Sequence, residues 1–321
     1  MTRTVLAADF GGTHLRAAVV DESGRVLARE ERPTPAEATA AIVTDGIISL
    51  LRSVGRVEGA GPEAVCIATA GLVDADAGRV ILAPNIPGFR NLPLTGPVAE
   101  ALGMPAFIEN DASAAALGEF RFGAGRGMRH LLHATLGTGI GGGLVIDRRL
   151  YRGAKGLAGE IGHIVVDPSG PRCNCGSRGC LEAVVSGVAF AHRARRLIAK
   201  GRAPLLATIA AGREPAGHDL LAAAQQGETA AEAEIRNGGH MLGLGLGSLV
   251  NVLNPDAVTL SGGLLGMGEM LLGPMREAIS SLAYGPASGT RVLLSELGDD
   301  AGLLGAAAVA FERLEDAGRL G

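Results

Sequence analysis

Three of the chain's four cysteines fall within eight residues, Cys173, Cys175 and Cys180, and His163 stands ten residues before the first of them. One imidazole and three thiols form a ligand set for tetrahedral zinc. Clustered cysteines in a chain expected to be cytosolic point to metal before disulfide. The spacing Cys-x-Cys-x4-Cys suits a tight knuckle, and Gly176 and Gly179 are placed where the backbone must turn back with φ > 0. Four protein ligands leave no open position for water, so the expected zinc is structural. Glu160 lies three residues before His163 and Glu182 two after Cys180. A metal that pins His163 and Cys180 also fixes both glutamates, leaving them and the imidazole arranged to meet hydroxyl groups.

The remaining pattern is that of an α/β protein. Residues 4–10, 15–20 and 25–32 are short apolar runs separated by tight turns, which predicts a β-meander. Asp9 closes the first run, just before Gly11-Gly12-Thr13. The amides of such a turn can cradle a phosphate, and the carboxylate can hold a hydrated Mg²⁺; an ordinary Gly-Gly hairpin has the same appearance. A helix is expected over 35–54, a buried strand over 64–70 ending at Gly71, a turn over 74–78, an irregular loop over 85–89, a helix over 97–102 and a strand over 106–109. The Ala-rich run after Asp111 predicts a helix, which makes Asp111 a candidate N-cap at a strand-to-helix junction. Near residue 130 the pattern restarts: a strand over 131–136, the glycine loop 137–143, then a strand over 144–146. This echo suggests two domains of one fold. The loop has no Walker lysine and does not lead from strand to helix, so it is neither a P-loop nor a dinucleotide fingerprint. Helices are expected over 184–199, 204–211, 219–226, 229–253, 268–282 and 301–319, with strands over 257–261 and 291–295. Cys66, in Ala64–Ala68, reads as a buried strand residue.

At 321 residues the chain has length for two domains, and 47% hydrophobic residues with 19% charged is a globular composition. A net charge of −4 gives no basic field for nucleic acid. The run that opens the chain has no leader pattern, and no uncharged apolar stretch is long enough for a membrane helix; a cytoplasmic protein is expected.

Taken in order, Asp9-Phe10-Gly11-Gly12-Thr13, Glu109-Asn110-Asp111, Gly137–Gly143, Gly159-Glu160-Ile161-Gly162-His163 and Cys173-x-Cys175-Gly176-x-x-Gly179-Cys180-x-Glu182 resemble the ROK family of repressors, open reading frames and sugar kinases, over essentially the whole chain. The resemblance implies two actin-like ATPase (ribonuclease H-like) α/β domains with a cleft: residues 1–115 joined by a C-terminal helix at about 303–320, and residues 116–302 carrying the zinc motif. It implies ATP with Mg²⁺, structural Zn²⁺, and phosphorylation of a hexose, first of all glucose to glucose 6-phosphate, the alternative being a kinase for N-acetylmannosamine, mannose, fructose or allose. Asp111 would be the catalytic base. Asn110, Glu160, His163 and Glu182, with Gly71 and Asn85, would bind the sugar. Gly11, Gly12, Thr13, Thr138 and Gly139 would meet the phosphates beside Asp9, and Gly262 and Gly263 would lie under the adenosine. A homodimer or homotetramer is implied. His14, Ala70 and Phe89 depart from residues common in the family. The other reading within the family is a sugar-responsive regulator lacking its DNA-binding domain; only eight residues precede Asp9, too few for a helix-turn-helix.

Overall fold

The opening meander forms as expected. In the computed structural model, which describes residues 2–34, 39–57, 61–83 and 90–320, β1 (Thr4–Phe10) pairs antiparallel with β2 (His14–Asp21), and β2 with β3 (Val26–Pro33). Helix α1 (Ala40–Val54) follows, capped by the Thr39 hydroxyl, which accepts from Ile42 N–H at 3.3 Å. Residues 35–38, where the sequence placed the helix start, lie outside the described residues. Next come β4 (Val65–Thr69), β5 (Leu72–Asp74), β6 (Arg79–Leu82), β7 (Arg90–Pro93), α2 (Thr95–Leu102), β8 (Ala106–Asn110) and α3 (Asp111–Phe122). After them run β9 (Leu131–Leu136), β10 (Ile140–Ile146), β11 (Arg149–Leu150), α4 (Leu181–Val185), α5 (Gly187–Ala199), α6 (Pro204–Ala210), α7 (Gly217–Gln225) and α8 (Thr229–Leu253). The chain ends with β12 (Ala257–Ser261), α9 (Glu269–Leu282), β13 (Arg291–Leu294) and α10 (Ala301–Leu320).

Two compact units result: Met1–His133, Gly143–Gly159 and Ser295–Gly321 make unit 1, and Ala134–Gly142 with Glu160–Leu294 make unit 2. The division drawn from the sequence after residue 115 falls inside α3, all of which belongs to unit 1.

Unit 1 is built on the sheet β3-β2-β1-β4-β8, with β4 parallel to β1 and β8 parallel to β4. Alternation along β1 sends Leu6, Ala8 and Phe10 to a core with Val43, Ile47, Leu50 and Leu51 of α1. Val5, Ala7 and Asp9 take the other face, where α10 packs on β1 and β4. Small residues let α10 and α3 approach closely: a Cβ on Gly305 would stand 2.2 Å from the Ala114 carbonyl oxygen. A short antiparallel sheet, β5-β6-β7, was seen in the sequence only as its 74–78 turn, because strands of three or four residues carry too little periodicity to read.

The second five-stranded sheet has the order β11-β10-β9-β12-β13, with β10 antiparallel to β11 and β12 parallel to β13. This is the strand order of the first sheet repeated (third, second, first, fourth, fifth), which bears out the repeat suggested by the two glycine turns. The glycine loop is shorter than expected. Only Gly137–Gly139 turn; Ile140 to Gly143 already belong to β10. Gly143 is there for packing, since a Cβ on it would stand 2.5 Å from Ala116 Cβ on α3.

In unit 2 the helix expected over 184–199 is instead two, broken at Ser186, whose hydroxyl caps α5 by accepting from Ala189 N–H at 3.2 Å. Helix α8 sets Gly239 and Gly243 against α9, where added Cβ atoms would come within 2.2 Å of the Leu271 carbonyl oxygen and 2.4 Å of that of Met275. Among the described residues no helix is long and apolar enough to cross a membrane.

Candidate functional site

Parallel strands end on one edge of a sheet, and in unit 1 that edge collects the acidic residues. The register pairs Asp9 with Ala68 and Ala68 with Glu109, so β1 and β8 finish level with each other on either side of β4. Asp9 therefore feels Asp111. Burial first, then the Asp111 charge, raises the Asp9 carboxyl to about 6; Asp300 adds to this, and Arg16 and Arg29 oppose it. Burial also raises Asp111, against a hydrogen bond from the Ala112 N–H at 2.8 Å. The first turn of α10 backs Asp9: a Cβ on Gly302 would lie 3.2 Å from Asp9 Cγ. Two half-buried carboxylates held this way are poised to take a cation or a proton.

The N-cap of α3 is Asn110, which corrects the reading of Asp111 as the cap. Asn110 keeps extended backbone angles (φ −65°, ψ 142°), and its Oδ1 accepts from Ala112 and Ser113 N–H at 3.0 Å each. Asp111 is already the first helical residue. Asn110 Nδ2 donates to the Gly71 carbonyl at 3.0 Å, which leaves its second N–H for a ligand. Gly71 sits at φ +102°, and a Cβ on it would come within 2.4 Å of the Leu82 carbonyl oxygen. Asn85 and Phe89 lie outside the described residues.

The β1–β2 turn holds Gly11, Gly12 and Thr13, with Gly12 and Thr13 exposed at its tip. Gly11 N–H donates to the His14 carbonyl at 3.0 Å. Thr34 braces the turn, its hydroxyl donating to the Gly11 carbonyl at 2.8 Å and its amide to that of Thr13 at 2.9 Å. Sequence reasoning missed Thr34; no local pattern marks a residue that acts across two strands.

It also missed a buried ion cluster behind the β8 end. Arg152 Nε donates to Glu109 Oε2 at 2.7 Å and its Nη1 to Glu312 Oε2 at 3.3 Å. Glu109 Oε1 accepts from Asn110 N–H at 3.1 Å, so the cluster reaches the residue before Asp111. Burial works against the Arg152 charge, yet Glu109 and Glu312 hold its pKa above the ordinary value.

Unit 2 carries the other candidates. The ligand atoms of His163, Cys173, Cys175 and Cys180 all lie within 4.8 Å of one another. Cys175 Sγ is 3.6 Å from Cys180 Sγ, and Cys173 Sγ is 3.7 Å from His163 Nδ1. A tetrahedron with metal–sulfur bonds of ~2.3 Å has edges of about 3.8 Å, so the donor set fits zinc. Gly176 (φ +95°) and Gly179 (φ +69°) make the expected left-handed turns, and a Cβ on Gly179 would collide with the Asp167 carbonyl oxygen. With Nδ1 toward the sulfurs, His163 Nε2 stands 3.8 Å from Glu160 Oε2. Glu182, in the first turn of α4, accepts from Ile140 N–H at 2.9 Å. That contact brings it beside the exposed Thr138 and the half-buried Gly139, in a turn closed by Gly137 N–H to the Gly139 carbonyl at 2.9 Å. Gly262, at the end of β12, has φ +98°, and a Cβ on it would stand 2.4 Å from the Leu136 carbonyl oxygen; Gly263 begins a 3-10 turn.

Comparison with known proteins agrees across the chain. The ROK family model matches residues 5–313. The glucokinase of Thermotoga maritima is 38% identical over 317 residues, 97% of this chain and 98% of that protein. A crystal structure of a ROK family glucokinase from Streptomyces griseus, in complex with glucose and AMPPNP, is similar with a TM-score of 0.79 and 39% identity over 96% of this chain and 99% of that one. The xylose repressor of Bacillus subtilis is 33% identical over 78% of this chain and 61% of its own length.

Proposed function

Because this chain belongs to the ROK family, we propose that it is an ATP-dependent hexose kinase whose preferred acceptor is glucose, yielding glucose 6-phosphate. The observation that carries the reading is the near-complete overlap, at 38% and 39% identity, with proteins named glucokinases. The chemistry of the two half-sites supports it. Phosphoryl transfer asks for positioning, charge stabilisation and a group to take the hydroxyl proton. Asp111 takes that proton; its burial and fixed place at the head of α3 suit a base. Asp9, with its carboxyl raised to about 6 by burial and by Asp111, gains from a nearby cation and would hold the Mg²⁺ that accompanies the nucleotide. That ion neutralises phosphate charge when bound. The two turns, at Gly11, Gly12 and Thr13 and at Thr138 and Gly139, receive the phosphates, and Gly262 and Gly263 underlie the adenosine.

On the acceptor side, His163, Cys173, Cys175 and Cys180 would hold a structural zinc, which supplies a fixed frame. The frame presents His163 Nε2, Glu160 and Glu182 to sugar hydroxyls. Asn110 contributes its remaining N–H, beside Gly71, and Asn85 completes the set. We assign the protein to the cytoplasm as a homodimer or homotetramer, a state that light scattering reads directly.

A second reading, a sugar-responsive regulator, is favoured by the match to the xylose repressor. A coupled assay separates the two. Purified protein with glucose, mannose, fructose, allose and N-acetylmannosamine, each with ATP, ADP or polyphosphate, should give its highest kcat/KM on glucose with ATP. Absence of phosphorylation of every hexose, with sugar binding retained, would favour the regulator.

A further inference from the structure

The segment that follows the cysteine knuckle does more than carry a glutamate. Cys180 is the residue before α4, and Glu182 sits in the first turn of that helix. Glu182 Oε2 accepts from Ile140 N–H at 2.9 Å, and a Cβ on Gly139 would lie 2.3 Å from that oxygen. The carboxylate thus occupies the room a side chain at 139 would need. Two more bonds reach the same turn from the start of α5: Gly187 N–H to the Gly137 carbonyl at 2.9 Å and Val188 N–H to that of Thr138 at 3.4 Å. Residues 182–188 therefore strap the turn 137–140 from one side. Glu182 Oε1 has no partner among the described residues, so one carboxylate has one oxygen engaged and one available.

We infer that Glu182 positions the phosphoryl donor as well as binding the acceptor, so that the knuckle organises both subsites. The inference rests on the kinase reading above, in which Thr138 and Gly139 meet nucleotide phosphates and Glu182 meets a sugar hydroxyl. One oxygen holds the phosphate turn through Ile140 N–H while the other takes the hydroxyl. Gly139 is then required by the carboxylate behind it, not by the nucleotide in front. Glu182 acts on the donor through the turn and is, for that subsite, a positioning residue.

The test uses the zinc-loaded full chain and three readouts: calorimetric affinity for AMPPNP, calorimetric affinity for glucose, and hydrogen exchange of the Ile140 amide without ligand. Glu182→Ala removes the acceptor and should weaken AMPPNP about tenfold or more, the effect of one lost hydrogen bond to a charged group. It should also weaken glucose and deprotect the Ile140 amide. Glu182→Gln keeps a carbonyl oxygen for Ile140 N–H; it should hold AMPPNP within about threefold of the parent and retain Ile140 protection while losing glucose affinity. Gly139→Ala displaces the carboxylate and should reproduce the Glu182→Ala pattern with all zinc ligands present. Circular dichroism and zinc content verify folding of each variant. AMPPNP affinity in Glu182→Ala within twofold of the parent, or unchanged Ile140 exchange, overturns the inference. A parent that binds no AMPPNP defeats the kinase reading instead, and with it the donor role, while Ile140 exchange still reports whether Glu182 holds the turn.

Discussion

Arg152→Met is the sharpest probe of how unit 1 holds the end of β8. The guanidinium lies between Glu109 and Glu312, whose side chains are only 5% and 10% exposed. Methionine fills much of the same space but strands both carboxylates. Removing one partner of a buried ion pair typically costs ~3–5 kcal/mol, since the charge left behind has lost its counter-charge but not its burial. Two features moderate the cost here. Each carboxylate keeps one backbone donor at 3.1 Å, Asn110 N–H for Glu109 and Leu150 N–H for Glu312. Arg152 Nη2 is itself buried with no partner among the described residues, so the parent already carries one unmade bond, a burden of ~1–3 kcal/mol. The net loss should still be about 3 kcal/mol, against a total of ~5–15 kcal/mol for a typical domain. Urea titration followed by far-ultraviolet circular dichroism should show an earlier transition, and the triple variant Arg152→Met, Glu109→Gln, Glu312→Gln should recover most of the loss because no charge is stranded. A single variant within about 1 kcal/mol of the parent would refute the argument, and would mean that water reaches the cluster.

Three further outcomes are expected. Asp111→Asn should fold normally, because the cap is Asn110, and should bind sugar, but turnover should fall by roughly two to four orders of magnitude; turnover within a few-fold of the parent would demote Asp111 from base. Use of Mg-nucleotide should decline as pH falls through about 6, where Asp9 takes up a proton, and in Asp111→Asn that midpoint for nucleotide binding should move lower because a repelling charge is gone. The stability sign is opposite: the Asp9 carboxyl is raised from 3.8, so its ionisation costs stability that appears as pH rises from about 3.8 to 6 and is recovered on acidification. Cys175→Ala should lose zinc by metal analysis and lose hexose affinity with it, since structural zinc contributes ~10–16 kcal/mol to the fold of such a site; full activity without metal would exclude the frame role.

What the chain reveals before folding is whatever is written locally. The cysteines and His163 are close in sequence, so their common ligand chemistry is readable, and the left-handed turns at Gly176 and Gly179 follow from the need to bring them together. Helix α8 and strand β12 match their expected bounds because long periodic or fully apolar segments carry their own signal. Glycine was ambiguous in its purpose. Gly137–Gly143 read as one loop, but Gly143 makes room for α3, a demand set by a helix more than twenty residues earlier. Asn110 and Asp111 are both good caps, and the choice fell to Asn110 because the β8 register and the Gly71 carbonyl hold it in extended geometry. The Asp9–Asp111 coupling, the Thr34 brace, the Arg152 cluster and the Glu182–Ile140 bond each join residues tens to hundreds of positions apart. Such contacts exist only once parallel strands have aligned their ends and helices have packed, because charge and hydrogen-bond partners are chosen by distance in space, which periodicity along a chain does not encode.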